Sequence, residues 1–483
     1  MRDKINIVYL TIWMFSICIG MLQFGFGIGV FNIFLSTLYH KYKHEGGAVF
    51  EDRDDFNRYL TTAFPVGATI GTLTGAYLCS YGRRLPIFLM NALVIVATFV
   101  SMIYHFYACL AARILIGYAA GVFTVVCPIF ITECSPPQVA GSLGALTQFM
   151  IWTGIMLGEA LGFLVPYEYA TEDTSVINPK IYDSEIYRFI MSFHGIFSAF
   201  QLLMMIFVFR KDTPRFYYLI EDYDEALETE LLIYANTEDE LSLNQSPFNH
   251  KHHEERVPFF AHFTKEYRFA FFLGIFLGVY QQMTGVNSVI FYSNTLFTID
   301  SPPGRQTEYE AKVGTTLIGI VNLLSSMSAI PLLKFFGRKP LLLVGAFGMC
   351  AWHFMLGYFS HFEQNLCVKL VTLLFLVFFE ISIGSIFFLY TAEITTETGV
   401  SVASTGVWLF SILFAFLTPT LFAKLTPVGA YLLFAWVWLF SFFVIAIAVK
   451  ETKGKSKEAL KHLYSPEVYQ ELQQTDEVPT HIQ

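Results

Sequence analysis

Twelve apolar windows, each about 20 residues long, alternate with short polar segments along the chain. A helix of that length crosses the hydrocarbon core of a bilayer, and a chain in lipid satisfies its backbone polar groups only in helices or closed barrels. The pattern therefore predicts an all-α integral membrane protein with twelve transmembrane helices. We expect them at about residues 9–33, 59–80, 86–105, 108–131, 141–165, 188–209, 268–296, 313–335, 340–361, 366–392, 402–424 and 428–449.

The polar positions between these windows repeat. Gly82-Arg83-Arg84 is followed 255 residues later by Gly337-Arg338-Lys339, and Gln23 and Glu133 are echoed by Gln281 and Glu393 at offsets between 255 and 260. Such self-similarity in a membrane chain is typical of a transporter built from two repeats around a mid-membrane site. We therefore expect two six-helix pseudo-repeats, with an N-terminal bundle at 1–209, a cytoplasmic central loop at 210–267, a C-terminal bundle at 268–449 and a cytoplasmic tail at 450–483.

Composition and charge agree with this topology. Apolar residues make up 54% of the 483 residues and charged residues only 14%, which is too apolar for a soluble domain. With both termini in the cytoplasm, 19 of the 30 Lys and Arg residues lie inside, 10 lie outside and Arg113 lies within a helix. That bias follows the positive-inside rule. We expect a multi-pass protein of the plasma membrane, although no targeting signal in the sequence specifies that membrane.

The seventh apolar window carries the most specific motif. Gln281-Gln282-Met283-Thr284-Gly285-Val286-Asn287 resembles the Gln-Gln-x-x-Gly-x-Asn signature of the sugar porters, the facilitative hexose transporters of the major facilitator superfamily. More than ten further positions agree in order and spacing over nearly the whole chain. They include Gln23-Phe24-Gly25, Gly82-Arg83-Arg84, Arg113, Glu133, Gln148, Pro214-Arg215, Asn322, Gly337-Arg338, Phe379-Glu380, Glu393 and Glu451-Thr452-Lys453-Gly454.

The resemblance implies a sugar site in the middle of the membrane. Neutral amides suit a sugar, because each Gln or Asn side chain both donates and accepts hydrogen bonds, as a hydroxyl does. The alternative is that such amides only join neighbouring helices, which is the better interpretation for any single amide. The implied substrate-binding residues are Gln148, Gln281, Gln282, Asn287, Asn322 and Glu380.

The resemblance also implies a cytoplasmic gate of ion pairs, formed by Arg83, Arg84 and Arg338 with Glu133 and Glu393. Several usual partners are missing here, since Ala140 and Val400 stand where arginines are expected at helices five and eleven. Losing partners of charge-assisted bonds weakens a gate, so we expect an equilibrium shifted toward inward-open states, or a slower carrier. In helix ten the usual prolines are absent, and we expect bending there to depend on Gly384 alone.

Two intramembrane charges bear on energy coupling. Proton-linked sugar porters carry an Asp in helix one where this chain has Gly27, which favours facilitated diffusion. Arg113 and Glu159 lie at similar depth, and we expect them to form an intramembrane charge pair, with a structural role favoured over proton coupling.

Three classes of function follow. The first is a facilitative hexose uniporter for a sugar such as glucose or fructose. The second is a proton-linked or altered-substrate carrier of polyols or other small polar solutes, and the third is a non-transporting sugar sensor. No nucleotide-binding loop or nucleophile constellation suggests an enzyme, and the seven cysteines lack zinc-type spacing. We expect no cofactor, no metal and no nucleic-acid partner, only the sugar and the lipid bilayer. The sequence does not predict the oligomeric state.

Overall fold

The computed structural model describes residues 5–170, 176–234, 257–286, 305–456, 459–460 and 462–465. These residues form helices joined by short connections, without a β-strand in the described ranges. The first half contains α1 (Ile7–Ile17), α2 (Ile19–His44), α3 (Arg53–Cys79), α4 (Arg84–Ser101), α5 (Phe106–Cys134), α6 (Ala140–Gly144), α7 (Leu146–Gly162), α8 (Lys180–Asp183) and α9 (Ile186–Phe207).

The central connection and the second half follow the same plan. They contain α10 (Pro214–Leu219), α11 (Tyr223–Ile233), a short 3₁₀ turn (Phe259–Phe263), α12 (Arg268–Met283), α13 (Arg305–Phe336), α14 (Arg338–His361), α15 (Asn365–Phe379), a π-helical segment (Glu380–Gly384), α16 (Ser385–Ile394) and α17 (Glu397–Ala448).

The helices match the predicted membrane crossings. Ten described segments are long and apolar enough to span a bilayer, and α17 supplies two of them. The other two crossings correspond to α3, whose first turns carry charged residues, and to the seventh span, which begins with α12. The all-α, twelve-helix architecture predicted from the hydrophobic windows is thus confirmed.

Two breaks divide the last crossings. Thr426 has φ 60° within α17 and separates the eleventh span from the twelfth, within the predicted gap between 424 and 428. In the tenth crossing the backbone departs from helical geometry at Ser382 (φ −121°, ψ −110°), whereas Gly384 is helical. The expectation that Gly384 alone bends this helix is therefore wrong. The bend is a π-type distortion, which frees local backbone groups at the level of Glu380.

Glycines allow α2 and α7 to cross at backbone contact. A Cβ built at Gly25 would lie 1.9 Å from the carbonyl oxygen of Ile151, and one at Gly154 would lie 2.1 Å from that of Leu22. Small residues at such crossings are how membrane helices gain van der Waals contact when lipid offers no hydrophobic driving force. This close packing fixes α7 against α2 and leaves its other face toward the second half, where α7 contacts α13.

Candidate substrate site and gates

The two halves meet at a polar contact near the centre of the chain's helical crossings. Gln148 on α7 donates through Nε2 to both carboxylate oxygens of Glu380, at 3.3 and 3.1 Å. Glu380 is fully buried at the start of the π segment, and Gln148 is nearly so. The structure therefore joins two of the predicted substrate-binding residues across the interface between the halves.

Two further predicted residues carry unsatisfied acceptors. The side-chain oxygens Oε1 of Gln281 and Oδ1 of Asn322 are buried, and neither has a hydrogen-bond partner in the part of the chain that the structure describes. The Nδ2 group of Asn322 donates within its own helix, to the carbonyl of Ile318 at 3.0 Å. Leaving a buried acceptor unpaired costs about 1–3 kcal/mol, so each of these oxygens is available to accept a hydrogen bond from a ligand or a water.

The sequence repeat makes Gln23 the counterpart of Gln281, yet the two amides differ in their surroundings. Gln23 donates to Asn91 (2.8 Å) and Gln201 (3.2 Å) and accepts from Ser198 (2.7 Å), so all of its partners lie within the first half. Gln23 is therefore an amide that joins helices, whereas the oxygen of Gln281 is left for another partner.

The remaining predicted site residues are placed less fully. Gln282 follows Gln281 in α12 and is half-buried. Asn287 lies outside the described residues. The helix α12 ends at Met283, and two residues later Gly285 has a φ of +82°, a left-handed conformation that favours glycine. The carbonyl of Thr284 accepts from the indole of Trp438 at 3.2 Å, which ties this turn to the twelfth crossing.

Arg113 and Glu159 do not form the predicted charge pair. Arg113 donates to the carbonyls of Gly27 and Leu60, and its guanidinium lies 3.9 Å from the ring centroid of Phe31. Backbone oxygens and a ring face thus satisfy this buried cation within the first half. The expectation of a pair is corrected, because each side chain turns toward a different neighbour although the two lie at similar depth.

Glu159 instead faces the second half. Its Oε2 atom would lie 2.5 Å from a Cβ on Gly319 of α13, one turn before Asn322. That oxygen is buried and has no hydrogen-bond partner among the described residues. Gln148 and Glu159 are eleven residues apart, close to three helical turns, and so share one face of α7. Glu159 is therefore a buried carboxylate on the face of α7 that carries Gln148.

An aromatic cluster that the sequence analysis did not find closes the space between the halves. Trp408 on α17 lies 5.0 Å from the ring of Phe24 on α2 and 5.9 Å from that of Phe64 on α3. In the family pattern a Trp is expected at position 412, where this chain has Ile412. Trp408 is four residues earlier, one turn along the same helix face. A search of the sequence for an aromatic residue four positions before Ile412 would have found it.

The ends of the halves that the sequence predicts to face the cytoplasm are joined by ion pairs. Arg83 is buried, and its Nη2 lies 2.7 Å from Glu133 Oε1 and 2.6 Å from Glu397 Oε1. Burial alone lowers the pKa of the Arg83 guanidinium, but the carboxylates of Glu133 and Glu397 raise it above its ordinary value. Arg83 therefore remains charged. Glu397 begins α17, so this contact links the first half to the second.

The same arrangement recurs in the second half. Arg338 pairs with Glu393, while Glu451 accepts from the backbone N–H groups of Arg338 and Lys339 at 3.0 Å each. Thr452 donates to Glu393 at 2.7 Å. The corresponding residues of the first half are Arg83, Glu133, Asp212 and Thr213, with Asp212 accepting from Arg83 and Arg84 and Thr213 donating to Glu133. The duplication seen in the sequence thus extends to individual hydrogen bonds.

Two residues of this ion-pair network were not predicted from the motifs. They are Glu397, which belongs to the second half, and Arg215. Arg215 Nη1 lies 3.6 Å from Glu133 and 3.8 Å from Glu397, so two arginines share two carboxylates. We based the predicted shift toward inward-open states on the missing gate partners. The gate is closed in this structure, and the shift stays a prediction.

Arg84 does not join this ion-pair network. Its Nη2 donates to the carbonyl of Met205 on α9 at 2.8 Å, and its Nε is buried without a partner among the described residues. Four of the five predicted gate residues are thus paired as two Arg–Glu couples, and Arg84 lies on the opposite side of the turn, against α9.

The outer ends of the halves are also bonded. The carboxylate of Glu308 on α13 accepts the backbone N–H groups of Glu168 (2.8 Å) and Tyr169 (3.1 Å), in the loop after α7. Lys312, one turn further, lies 4.3 Å from the ring centroid of Tyr167. We call Glu308 and its two backbone donors the outer clasp. The halves are therefore bonded to each other at both ends, with the buried amides between.

The family model described as Sugar (and other) transporter matches residues 13–464, and the chain belongs to this family. It is therefore a multi-pass membrane protein of the sugar transporters and not an enzyme, and its fold is that of a solved transporter of the major facilitator superfamily.

Named relatives share low sequence identity over most of their length. Hexose transporter 1 of Plasmodium knowlesi is 26% identical over 470 residues, which cover 92% of this chain and 90% of that protein. Solute carrier family 2, facilitated glucose transporter member 8 of Bos taurus is 25% identical over 482 residues, covering 92% of each. Among solved structures, the proton:xylose symporter XylE of E. coli bound to 6-bromo-6-deoxy-D-glucose has the same fold, with a TM-score of 0.78, 19% identity and coverage of 95% and 100%.

Proposed function

We propose that this chain is a facilitative uniporter of hexoses such as glucose or fructose, working by alternating access between the two closed ends. The observation that carries the proposal is the pair of buried amide oxygens of Gln281 and Asn322, which have no hydrogen-bond partner among the described residues. A hexose is rich in hydroxyl donors and has no net charge, so it satisfies such acceptors without bringing a charge into the membrane. The named relatives that are hexose and glucose transporters support the same substrate class.

The proposed substrate-contacting set keeps the residues implied by the sequence: Gln148, Gln281, Gln282, Asn287, Asn322 and Glu380. The proposed cytoplasmic gate consists of Arg83, Glu133, Arg338 and Glu393, to which we add Arg215 and Glu397. In this scheme the gate and the outer clasp open in alternation, and each opening breaks bonds between the halves at one end only. We further propose the plasma membrane as the location, with both termini cytoplasmic and the division at 209, 267 and 449 as expected from the sequence.

One observation favours a second candidate, a proton-linked or altered-substrate carrier. Glu159 is buried with an unpaired oxygen, and no cation lies within 4 Å of its carboxylate among the described residues. A carboxylate in that position is able to take up a proton when the site opens to one side and release it on the other. The uniporter remains our proposal because Gly27 stands where proton-linked members have an Asp, and the two candidates differ in pH dependence.

The decisive experiment is uptake of radiolabelled glucose and fructose into liposomes that contain the purified full-length protein, at two pH values. Gln281→Ala is compared with Gln364→Ala, a matched loss of an exposed amide before α15. We expect pH-independent uptake that Gln281→Ala abolishes and Gln364→Ala leaves intact. A pH-dependent uptake that becomes pH-independent in Glu159→Gln establishes the proton-linked candidate instead. Folded protein that binds sugar without transporting it establishes a sensor, and folded protein that does neither shifts the assignment to another small polar solute.

A further inference from the structure

The sequence predicts Arg84 in the gate, but in the structure its side chain lies in a separate cavity. Its side chain leaves the ion pairs and lines a cavity of about 350 Å³ between the start of α4, the segment after α9 and α10. The cavity is lined by Arg84, Leu85, Phe88, Arg210, Asp212, Phe216 and Tyr217.

Two arginines give this cavity an excess of positive charge. Arg210 is exposed, and its Nε donates to the carbonyl of Ile206 at 3.0 Å. Neither Arg210 nor Arg84 forms an ion pair with a carboxylate in the part of the chain that the structure describes. The buried Nε of Arg84 has no partner there at all. Both guanidinium groups therefore have donors left for an anion.

The carboxylate in the lining, Asp212, is already engaged. It accepts the backbone N–H groups of Arg83 (3.0 Å), Arg84 (3.0 Å) and Thr213 (2.7 Å), and it is buried. Burial raises the pKa of the Asp212 carboxyl above its ordinary value, although the three backbone donors oppose this shift. Asp212 thus holds the turn in shape and offers little repulsion to an incoming anion.

The cavity lies where the membrane meets the cytoplasm. Leu85, in its lining, is 44% exposed, and Phe207, three residues before Arg210, is 66% exposed. Tyr77 and Tyr81, at the end of α3, are exposed as well and have their hydroxyls 2.8 Å apart. Exposed aromatics beside basic residues mark the headgroup level of a bilayer, and the positive-inside bias assigns this level to the cytoplasmic leaflet.

We propose that this cavity binds the phosphate of an anionic phospholipid from the cytoplasmic leaflet, with Arg84 and Arg210 as its ligands. Phe88 and Phe216 provide apolar walls beside the headgroup. Basic pockets between helices on the cytoplasmic side bind anionic headgroups in this way, since each arginine near such a surface contributes an attraction to anionic lipid. A soluble phosphate compound shares the headgroup chemistry, but the opening along Leu85 favours the lipid.

The test measures binding of short-chain phosphatidylserine and phosphatidylcholine to delipidated full-length protein by native mass spectrometry. The double variant Arg84→Gln/Arg210→Gln is compared with Lys334→Gln/Lys265→Gln, which removes two exposed cationic groups from the same face. We expect the parent to prefer phosphatidylserine, and the double variant to lose about 30-fold in affinity for it, roughly fivefold per arginine. The control variant is expected to keep the preference.

The single variant Arg210→Gln controls for misfolding of the double variant. Arg210 is exposed, so its loss leaves the turn at Asp212 intact. We expect it to lose about fivefold, and Arg210→Lys to restore part of that loss. Equal binding of both lipids by the parent, or an unchanged preference in the double variant, overturns the site. Glycerophosphoserine or inorganic phosphate binding as tightly as the lipid overturns the lipid as occupant and assigns a soluble phosphate compound.

Discussion

Removing the carboxylate of Glu397 is expected to loosen the cytoplasmic gate without unfolding either half. Glu397 lies 2.6 Å from Arg83 and 3.8 Å from Arg215. It begins α17 and therefore belongs to the second half, whereas both arginines precede that half. In Glu397→Gln, Arg83 keeps its bond to Glu133, so no buried charge is left without a partner. The variant therefore isolates the bond between the halves.

The structure sets the expected size of the effect. A hydrogen bond to a charged group contributes about 1.5–3 kcal/mol when it is buried. The Glu397 side chain is 23% exposed, so solvent screens the interaction and the lower end applies. A loss of about 1.5 kcal/mol increases the population of the inward-open state roughly tenfold, provided that this state is a minority in the parent.

Thiol labelling from the cytoplasmic side measures that population. Ser401 is one turn after Glu397, is buried, and donates across the interface to the carbonyl of Thr72, so Ser401→Cys reports opening at this end. We expect inside-out vesicles of Ser401→Cys/Glu397→Gln to react with a membrane-impermeant maleimide about ten times faster than Ser401→Cys alone. Protein that retains Ser401 gives the background from the native cysteines.

Glu228→Gln is the matched control, because Glu228 pairs with Lys211 on an exposed surface of the central connection and does not join the halves. We expect it to leave the labelling rate within twofold of the parent. Equal rates with and without the Glu397 carboxylate would refute the reasoning, and so would an equal increase from Glu228→Gln.

Three further outcomes follow from the contacts. A double-mutant cycle on Arg113→Gln and Glu159→Gln, measured by unfolding in detergent, should give a coupling free energy below about 0.5 kcal/mol, because the two side chains do not meet. A value near 2 kcal/mol would show that they form a charge pair after all. Gly25→Ala should destabilise the protein by about 1–3 kcal/mol because its Cβ meets an α7 carbonyl, whereas Gly406→Ala, with 3.4 Å of clearance, should have little effect on the melting temperature. Glu308→Gln weakens the outer clasp and should lower the external KM for sugar about threefold, while an unchanged KM would show that the clasp does not limit opening.

The membrane class, the twelve crossings and the duplication could all be predicted from the sequence. Windows of about 20 apolar residues leave a helix as the only way to satisfy the backbone in lipid, so local composition decides the element type. The repeat of Gly82-Arg83-Arg84 as Gly337-Arg338-Lys339 is matched in the structure by a pair of hydrogen-bonded turns. The family followed from the order of motifs, because their spacing extends over the whole chain.

The hydrogen-bond and ion-pair partners of the polar side chains depend on how the helices pack, and the sequence does not predict them. Gln23 and Gln281 are equivalent in the repeat, but Gln23 is enclosed by three polar groups and the oxygen of Gln281 is not. Arg83 and Arg84 are adjacent, yet successive side chains on a turn point in different directions, so one enters the gate and the other faces α9.

The same limit explains the wrong pairing of Arg113 with Glu159 and the missed role of Glu397. Depth along a helix can be counted from the sequence, but the rotation of each helix about its own axis depends on packing. Close contacts between glycines and backbone on α2 and α7 set that rotation for Glu159 and direct it toward α13. A single sequence states which residues are polar within the membrane, and only the packed helices decide which of them face each other.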